Sequence, residues 1–232
     1  MNILKINGIN SGYGKKQVLF DVSLDLSKGE TLLIIGSNGS GKSTLLKVVF
    51  GILKPWDSET KIFFNSIDIT SLNPDKRVKK GMVYIPQKNE LFEELTVIDN
   101  LEISGMHTLK RTELKSRIHM VTNHLPDLEK ILRRKCSNLS GGERKQVSFG
   151  MALMNKPILL ILDEPLAGIS PSKVNDILFH IIEMKKMGIS FLIVEHRVRD
   201  IMQIADRIVG LKLGKAVENE TLTLNNTMEV ML

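Results

Sequence analysis

A chain of 232 residues with 42% hydrophobic and 25% charged side chains can bury one sizeable core, which excludes a disordered or fibrous protein. The net charge of +6 comes from basic side chains scattered along the chain, so a solvated basic surface is the simplest interpretation. Charge alone does not exclude attraction to nucleic acid or to an anionic membrane face.

The first half of the chain alternates strand and turn signals before a helical pattern begins. A β-prone stretch at 3–6, a break at 11–14 and an alternating segment at 18–26 predict two strands joined by a turn. The unbroken apolar run at 31–35 predicts a strand that is buried on both faces. The apolar spacing over 43–53 then predicts a helix.

The same order of strand and helix recurs further along the chain. Residues 82–85, 158–162 and 189–194 are predicted buried strands, and 171–187 has the apolar spacing of a helix. Strands that alternate with helices indicate an α/β fold with a mostly parallel central sheet covered on both faces.

Residues from about 88 to 138 break this pattern because they are polar, helical in character and without strong strand signals. We therefore predict a single domain over 1–232, with a core of 1–87 and 139–232 and an inserted helical lobe between them. The first residues have no long apolar region behind a basic start, so we expect no secretory signal. No apolar run approaches the roughly 20 residues of a membrane span. The single cysteine, Cys136, fits a reducing cytoplasm, so a soluble chain is expected.

A glycine-rich loop between the strand at 31–35 and the following helix matches G-x-x-x-x-G-K-[ST]. It consists of Gly36, Ser37, Asn38, Gly39, Ser40, Gly41, Lys42, Ser43 and Thr44. Glycines let successive backbone N–H groups point at a polyphosphate, and the helix adds its positive N-terminal end. Lys42 would neutralise β- and γ-phosphate oxygens and the Ser43 hydroxyl would ligate Mg²⁺. The loop therefore predicts binding of ATP or a similar nucleotide.

Two acids follow the buried strand at 158–162, namely Asp163 and Glu164. Ligands of parallel sheets collect at the carboxyl ends of the strands, so these acids are expected beside the phosphate loop. Asp163 is suited to hold Mg²⁺ directly or through water, and Glu164 to orient the attacking water. An isolated Asp-Glu pair would more simply be a solvated strand end.

The segment at 139–143 reads LSGGE and is similar to the LSGGQ signature of the ABC ATPases. The chain resembles this family from Tyr13 to about Gly214, with its motifs in family order. The resemblance implies a P-loop fold of ABC type, with an N-terminal antiparallel β subdomain and a helical lobe. It also implies that the protein binds and hydrolyses ATP.

Further site residues rest on this resemblance alone. Tyr13 is similar to the aromatic residue that stacks on adenine, and Gln87 to the glutamine that senses Mg²⁺ and the attacking water. Asp163 and Glu164 correspond to the magnesium-side acid and the general base, and His196 to the histidine that contacts the γ-phosphate. The signature residues expected to bind the γ-phosphate are Ser140, Gly141 and Gly142.

Two positions depart from the family pattern. Ser170 stands where the loop after Pro165 usually ends in aspartate, and Glu143 stands in place of the glutamine of the signature. The sequence resembles the branched-chain amino acid importer subgroup in three places, namely the small residue before proline at 170–171, the segment 14–17 and the segment 91–100. The resemblance thus implies transport of amino acids.

The chain has one phosphate loop and one signature, and in the family that it resembles these two parts of a site come from different subunits. The resemblance therefore implies a head-to-tail dimer, with the same or a sister ATPase chain, that binds two ATP molecules. The resemblance further implies transmembrane permease subunits, a substrate-binding protein in the wider complex, a place at the cytoplasmic face of the membrane and no nucleic acid. The principal alternative is a non-transport ABC ATPase, for example of iron–sulfur cluster assembly. ABC ATPases of DNA repair fit less well because the chain has no long coiled-coil insertion. Those of translation usually contain two ATPase units, and this chain contains one. A non-hydrolysing regulator fits less well because both Glu164 and His196 are present.

Overall fold

The computed structural model describes residues 1–88 and 91–217. The strands in this part of the chain are β1 Asn2–Tyr13, β2 Lys16–Ser27, β3 Thr31–Ile35, β4 Lys61–Phe64, β5 Ile67–Asp68, β6 Met82–Ile85, β7 Leu159–Asp163, β8 Ser190–Val194, β9 Arg207–Lys212 and β10 Lys215–Val217. The helices are α1 Lys42–Phe50, α2 Pro74–Lys79, α3 Val97–Gly105, α4 Arg111–His124, α5 Asp127–Ile131, α6 Gly141–Met154, α7 Pro171–Lys186 and α8 Val198–Ile201. Two short 3₁₀ turns lie at Cys136–Asn138 and Met202–Ile204.

The N-terminal part forms a four-stranded antiparallel sheet in the order β2-β1-β4-β5. The predicted break at 11–14 is wrong in position, because β1 continues to Tyr13 and pairs there with Lys16 of β2. The turn is shorter than expected, since Gly14 alone supplies the positive φ of +58° that reverses the chain there. This sheet is the antiparallel β subdomain that the resemblance implied.

The central sheet has six strands in the order β10-β9-β3-β8-β7-β6, and all neighbours except β10 and β9 are parallel. Strands β3, β7 and β8 are buried on both faces because alternate side chains enter two different cores. On β3, for example, Leu33 and Ile35 lie in one core while Leu32 and Ile34 lie in the other. This explains the unbroken apolar runs and confirms the α/β fold with a mostly parallel sheet.

The two cores define the layers of the molecule. The antiparallel sheet and α1 cover one face of the central sheet, and α3, α4, α6 and α7 cover the other. Helix α6 also packs against α3, α4 and α5, so the region predicted as a lobe shares its core with the segment after it. The division into core and lobe remains a prediction.

Several boundaries differ from the expected ones by a few residues. Helix α1 ends at Phe50 rather than at 53 because Gly51 takes a left-handed conformation with φ +87° and its N–H caps the helix. Helix α7 ends one residue early, and β7 and β8 each begin one residue late. Within the ranges described, no helix combines the length and apolar character that crossing a membrane requires.

Candidate nucleotide site

The phosphate loop leaves β3 and enters α1, where two glycines are required by geometry. A Cβ on Gly36 would lie 2.2 Å from the carbonyl oxygen of Leu211, so a side chain cannot be accommodated. Gly41 precedes the first turn of α1 with φ +105°, which residues with a Cβ rarely adopt. The loop thus follows a path that brings backbone N–H groups to the N-terminus of α1.

Lys42 is almost fully buried, with 5% of its surface exposed. Its Nζ donates hydrogen bonds to the carbonyl oxygens of Gly36 and Ser37 at 2.8 and 2.9 Å, across the mouth of the loop. Burial lowers the pKa of Lys42, while the nearby acids Glu164 and Asp163 act in the opposite direction. The ammonium is therefore held where an anion would meet it.

Asp163 ends β7 beside the phosphate loop, as the sequence predicted. Its Oδ1 accepts a hydrogen bond from the Ser43 hydroxyl at 3.0 Å, and its Oδ2 accepts one from the Tyr84 hydroxyl at 3.0 Å. Burial, followed by the charge of Asp163, raises the pKa of Tyr84, so the phenol remains a proton donor. Both oxygens of this carboxylate are therefore oriented.

The donors around Asp163 fit a divalent cation. The Ser43 and Asp163 oxygens are already within 3.0 Å of each other, and hard oxygen ligands of this kind suit Mg²⁺. The side-chain carbonyl of Gln87 is the third ligand predicted from the sequence. Within the described ranges no cluster of three or more His, Cys, Asp or Glu side chains could hold a metal ion.

Glu164 follows β7, and its carboxylate contacts one residue that follows β6 and one that follows β8. Its Oε1 lies 2.8 Å from Nε2 of His196, and its Oε2 accepts a hydrogen bond from Nε2 of Gln87. The residue has φ +50°, unusual for a side chain larger than glycine, and its N–H donates to the carbonyl of Val194 at 2.8 Å. The turn after β7 therefore directs this carboxylate toward the two predicted polar partners.

A cavity of about 560 Å³ opens over the phosphate loop. It is lined by Tyr13, Glu164 and His196, and by the loop residues Asn38, Gly39, Gly41, Lys42, Ser43 and Thr44. Tyr13 is 46% exposed, and the Nζ of Lys47 lies 5.8 Å from the centre of its ring. The structure therefore brings most predicted nucleotide-site residues to one cavity, while Gly36, Ser37 and Ser40 form the base of the loop.

The signature residues lie elsewhere. Ser140, Gly141 and Gly142 line two other concavities and do not reach the cavity over the phosphate loop. Ser140 is the N-cap of α6, and its hydroxyl accepts a hydrogen bond from the N–H of Glu143 at 3.3 Å. One copy of the chain therefore presents the phosphate loop and the signature on separate surfaces.

Sequence reasoning missed two residues of this region. Tyr84 could have been found because β6 precedes Gln87 and was expected at the same sheet edge as Asp163. The sequence does not point to Glu195, since an acid at the end of a strand, beside His196, is expected to be exposed to solvent. It is in fact 1% exposed, its carboxylate accepts N–H groups of His196 and Leu166, and its Oε2 has no hydrogen-bond partner in the described structure.

We predict that Glu195 makes stability depend on pH. Burial, followed by the charge of Glu164, raises its pKa from 4.5 to about 7, so the native state binds this proton more tightly than the unfolded state. The stabilisation is present in full below pH 4.5 and is lost as the pH rises through about 7. The change is up to about 3 kcal/mol.

Urea unfolding of wild type and Glu195→Gln at several pH values from 5 to 8 measures this effect. The variant should gain stability relative to wild type as the pH rises, because its amide has no proton to lose. Glu129→Gln, on an exposed site of α5, is the control. Parallel curves for wild type and Glu195→Gln would contradict the assignment.

Comparison with known proteins agrees with this arrangement. The profile of the ABC transporter family matches residues 19–167. The chain therefore belongs to the ABC transporter family, and it is an ATP-binding and ATP-hydrolysing member of it.

Among its relatives is a probable branched-chain amino acid transport ATP-binding protein of Archaeoglobus fulgidus, 37% identical over 94% of this chain and 92% of the other. A lipopolysaccharide export system ATP-binding protein of Acidithiobacillus ferridurans is 32% identical over 93% and 88%. The crystal structure of a nucleotide-free ATP-binding cassette from an ABC transporter has a TM-score of 0.88, 31% identity and coverage of 99% and 95%. These similarities extend over nearly the whole chain.

Proposed function

We propose that this chain is the ATPase subunit of an importer of branched-chain amino acids and that it uses Mg²⁺ with ATP. The observation that carries the catalytic part is the place of Glu164, whose carboxylate lies between Gln87 and His196 at the cavity lined by the phosphate loop. Family membership supports the transport role. The cargo rests on the names of relatives.

In the proposed reaction each side chain has a separate task. The phosphate-loop N–H groups and Lys42 hold the β- and γ-phosphates, and Tyr13 stacks on the adenine. Glu164 accepts a proton from the attacking water, which Gln87 helps to position, and His196 donates a hydrogen bond to the γ-phosphate. Bound near Ser43, Gln87 and Asp163, Mg²⁺ would neutralise phosphate charge. The work of the site is thus orientation and charge stabilisation rather than covalent chemistry.

Two chains are proposed to complete each site. Because Ser140, Gly141 and Gly142 lie on a different surface from the phosphate loop, they are available to a nucleotide bound by a second, head-to-tail copy or a sister ATPase. The N-terminus of α6 would then face the γ-phosphate and favour its negative charge. This pairing makes dimerisation a condition for hydrolysis.

The permease subunits are proposed to dock next to Gln87. Phe92, Ile103 and Met106 are large apolar side chains that are 53%, 38% and 59% exposed. Ile103 lies on α3, Met106 directly follows the last residue of this helix, and the N–H of Phe92 bonds to Asn100 of the same helix. An exposed apolar surface of this kind favours a protein partner. We place the chain at the cytoplasmic face of the membrane, with a substrate-binding protein on the far side.

Purification of the tagged chain from detergent-solubilised membranes of its own source tests the transport role. We expect polytopic membrane proteins to be recovered with it, with or without a second ATPase, and to be identified by mass spectrometry. Alanine substitution of both Phe92 and Met106 should reduce their recovery, whereas substitution of the exposed Leu213, which is 81% exposed, should not. Recovery of soluble partners alone would overturn the transport role and leave the ATPase chemistry intact.

Uptake measurements test the cargo separately. Cells that lack this chain should import less radiolabelled leucine, isoleucine and valine, and wild-type chain should restore uptake where Glu164→Gln does not. An unchanged rate of uptake in the deletion strain would contradict the cargo. Permease copurified with the tagged chain from the parent strain would then retain the transporter assignment.

A further inference from the structure

Glu143 introduces a charge at the signature that a glutamine would not carry. It is the third residue of α6, and its Oε2 accepts the N–H of Ser140 at 2.8 Å. The backbone N–H of Ser140 lowers the pKa of Glu143, and Arg134 contributes in the same direction, so the carboxylate is ionised at neutral pH. The positive end of α6 thus already faces a negative group.

Such a carboxylate opposes the proposed task of the signature. Ser140, Gly141 and Gly142 are proposed to bind a γ-phosphate, and a fixed negative charge three residues into the same helix repels that phosphate. A helix N-terminus favours one anion through its dipole and free N–H groups, and here two anions would share it. The charge of Glu143 therefore needs a counter-charge.

Arg134 supplies this charge from the segment before the signature. Its Nη1 lies 2.7 Å from Oε1 of Glu143, and its Nη2 donates to the carbonyl oxygen of Asn138 at 2.7 Å. The guanidinium therefore binds both sides of the signature loop. Other charged residues that line the adjacent concavity are engaged locally, since Lys130 pairs with Asp127 at 2.7 Å and Lys173 with Asp176 at 2.8 Å.

We propose that Arg134 is a positioning residue for ATP hydrolysis, because it neutralises and orients Glu143 so that the LSGGE signature can accept the γ-phosphate of a partner chain. This inference rests on the proposed action of the signature across a dimer. It identifies a residue outside all the motifs, paired with the one position of the signature that departs from LSGGQ.

A double-mutant cycle with Arg134→Gln, Glu143→Gln and the double variant tests the proposal on the purified transporter complex. In the wild-type background, Arg134→Gln should raise the KM for ATP by about two- to fivefold, as expected for the loss of one partly exposed charge pair. In the Glu143→Gln background the same change should have no further effect, because there is no charge left to neutralise. Arg134→Lys should restore most of the loss, and Arg133→Gln, at the adjacent exposed arginine, is the control.

Salt dependence separates this role from a purely structural one. The defect of Arg134→Gln should shrink between 50 and 500 mM salt, since the screening length for repulsion between Glu143 and phosphate falls from about 14 Å to about 4 Å over this range. An equal defect in both backgrounds would mean that Arg134 acts through the Asn138 carbonyl, and no defect would mean that it does not act at all. Either result overturns the proposal.

A separate variant tests the action of the signature itself. A Cβ at Gly142 meets no atom within 4 Å, so Gly142→Asp is expected to fold, and its carboxylate should block hydrolysis by facing the phosphate. If this variant hydrolyses ATP normally, the proposed action of the signature fails. If it is inactive while the double-mutant cycle shows no coupling, the proposal for Arg134 alone fails.

Discussion

Glu164→Gln should bind ATP with near wild-type affinity and hydrolyse it about 10²- to 10⁴-fold more slowly, the range typical for loss of a general base. The amide has the shape of the carboxylate but cannot accept the proton of the attacking water. The backbone at this position has φ +50°, which glutamine adopts as readily as glutamate, so the turn after β7 should be retained. A single-turnover experiment, with the protein in excess over ATP, measures the rate of the chemical step.

The same variant should accumulate as an ATP-bound dimer, detectable by size-exclusion chromatography with and without nucleotide. Glu129→Gln makes the identical chemical change on α5 and should behave as wild type in both measurements. A turnover within threefold of wild type would show that another group accepts the proton, and the assignment of Glu164 would be wrong.

Arg77→Met should lower the free energy of unfolding by about 3–5 kcal/mol, because several buried carbonyls lose a charged donor and each such loss costs about 1–3 kcal/mol. Arg77 is 1% exposed, and its guanidinium donates to five backbone carbonyls, those of Val48, Val49, Ile69, Thr70 and Leu72. Two of these belong to the last turn of α1, whose carbonyls have no partners within the helix. Burial lowers the pKa of Arg77 to about 10, so it remains charged at neutral pH.

Methionine fills much of the volume of arginine but donates to none of these carbonyls, of which only those of Val48 and Ile69 also accept a backbone N–H in the described structure, from Gly51 and Leu72. Arg77→Lys should restore only part of the set. Thermal denaturation should show a midpoint about 10 °C lower for the methionine variant. Arg133→Met removes an exposed arginine and is the matched control. Equal shifts for the two methionine variants would contradict a structural role for Arg77.

The fold was largely predictable because its central strands have a simple requirement. Strands buried on both faces must be mostly apolar, and this requirement alone predicts β3, β6, β7 and β8. The strand β1 was less predictable, since Gly12 and Tyr13 resemble turn residues while their pairing with β2 keeps them in the sheet. Tertiary pairing overrides local propensity there.

The site divides along the same line. Motif spacing and the rule that strand ends meet predict the phosphate loop and Asp163, whereas resemblance alone predicts Gln87, Tyr13 and His196. The role proposed for Arg134 could not be predicted from the sequence because it depends on a contact with Glu143, nine residues along the chain. The buried carboxylate of Glu195 could not be predicted for a similar reason, since the packing that removes it from water is not encoded in neighbouring residues.

The separation of the signature from the phosphate loop affects how much ATP the cell consumes. Under the proposed pairing, a copy without a partner binds nucleotide but has no signature aimed at its phosphate. Surplus copies made beyond the number of permeases would therefore store ATP rather than consume it. The rate of consumption would follow the number of assembled transporters and not the number of chains synthesised.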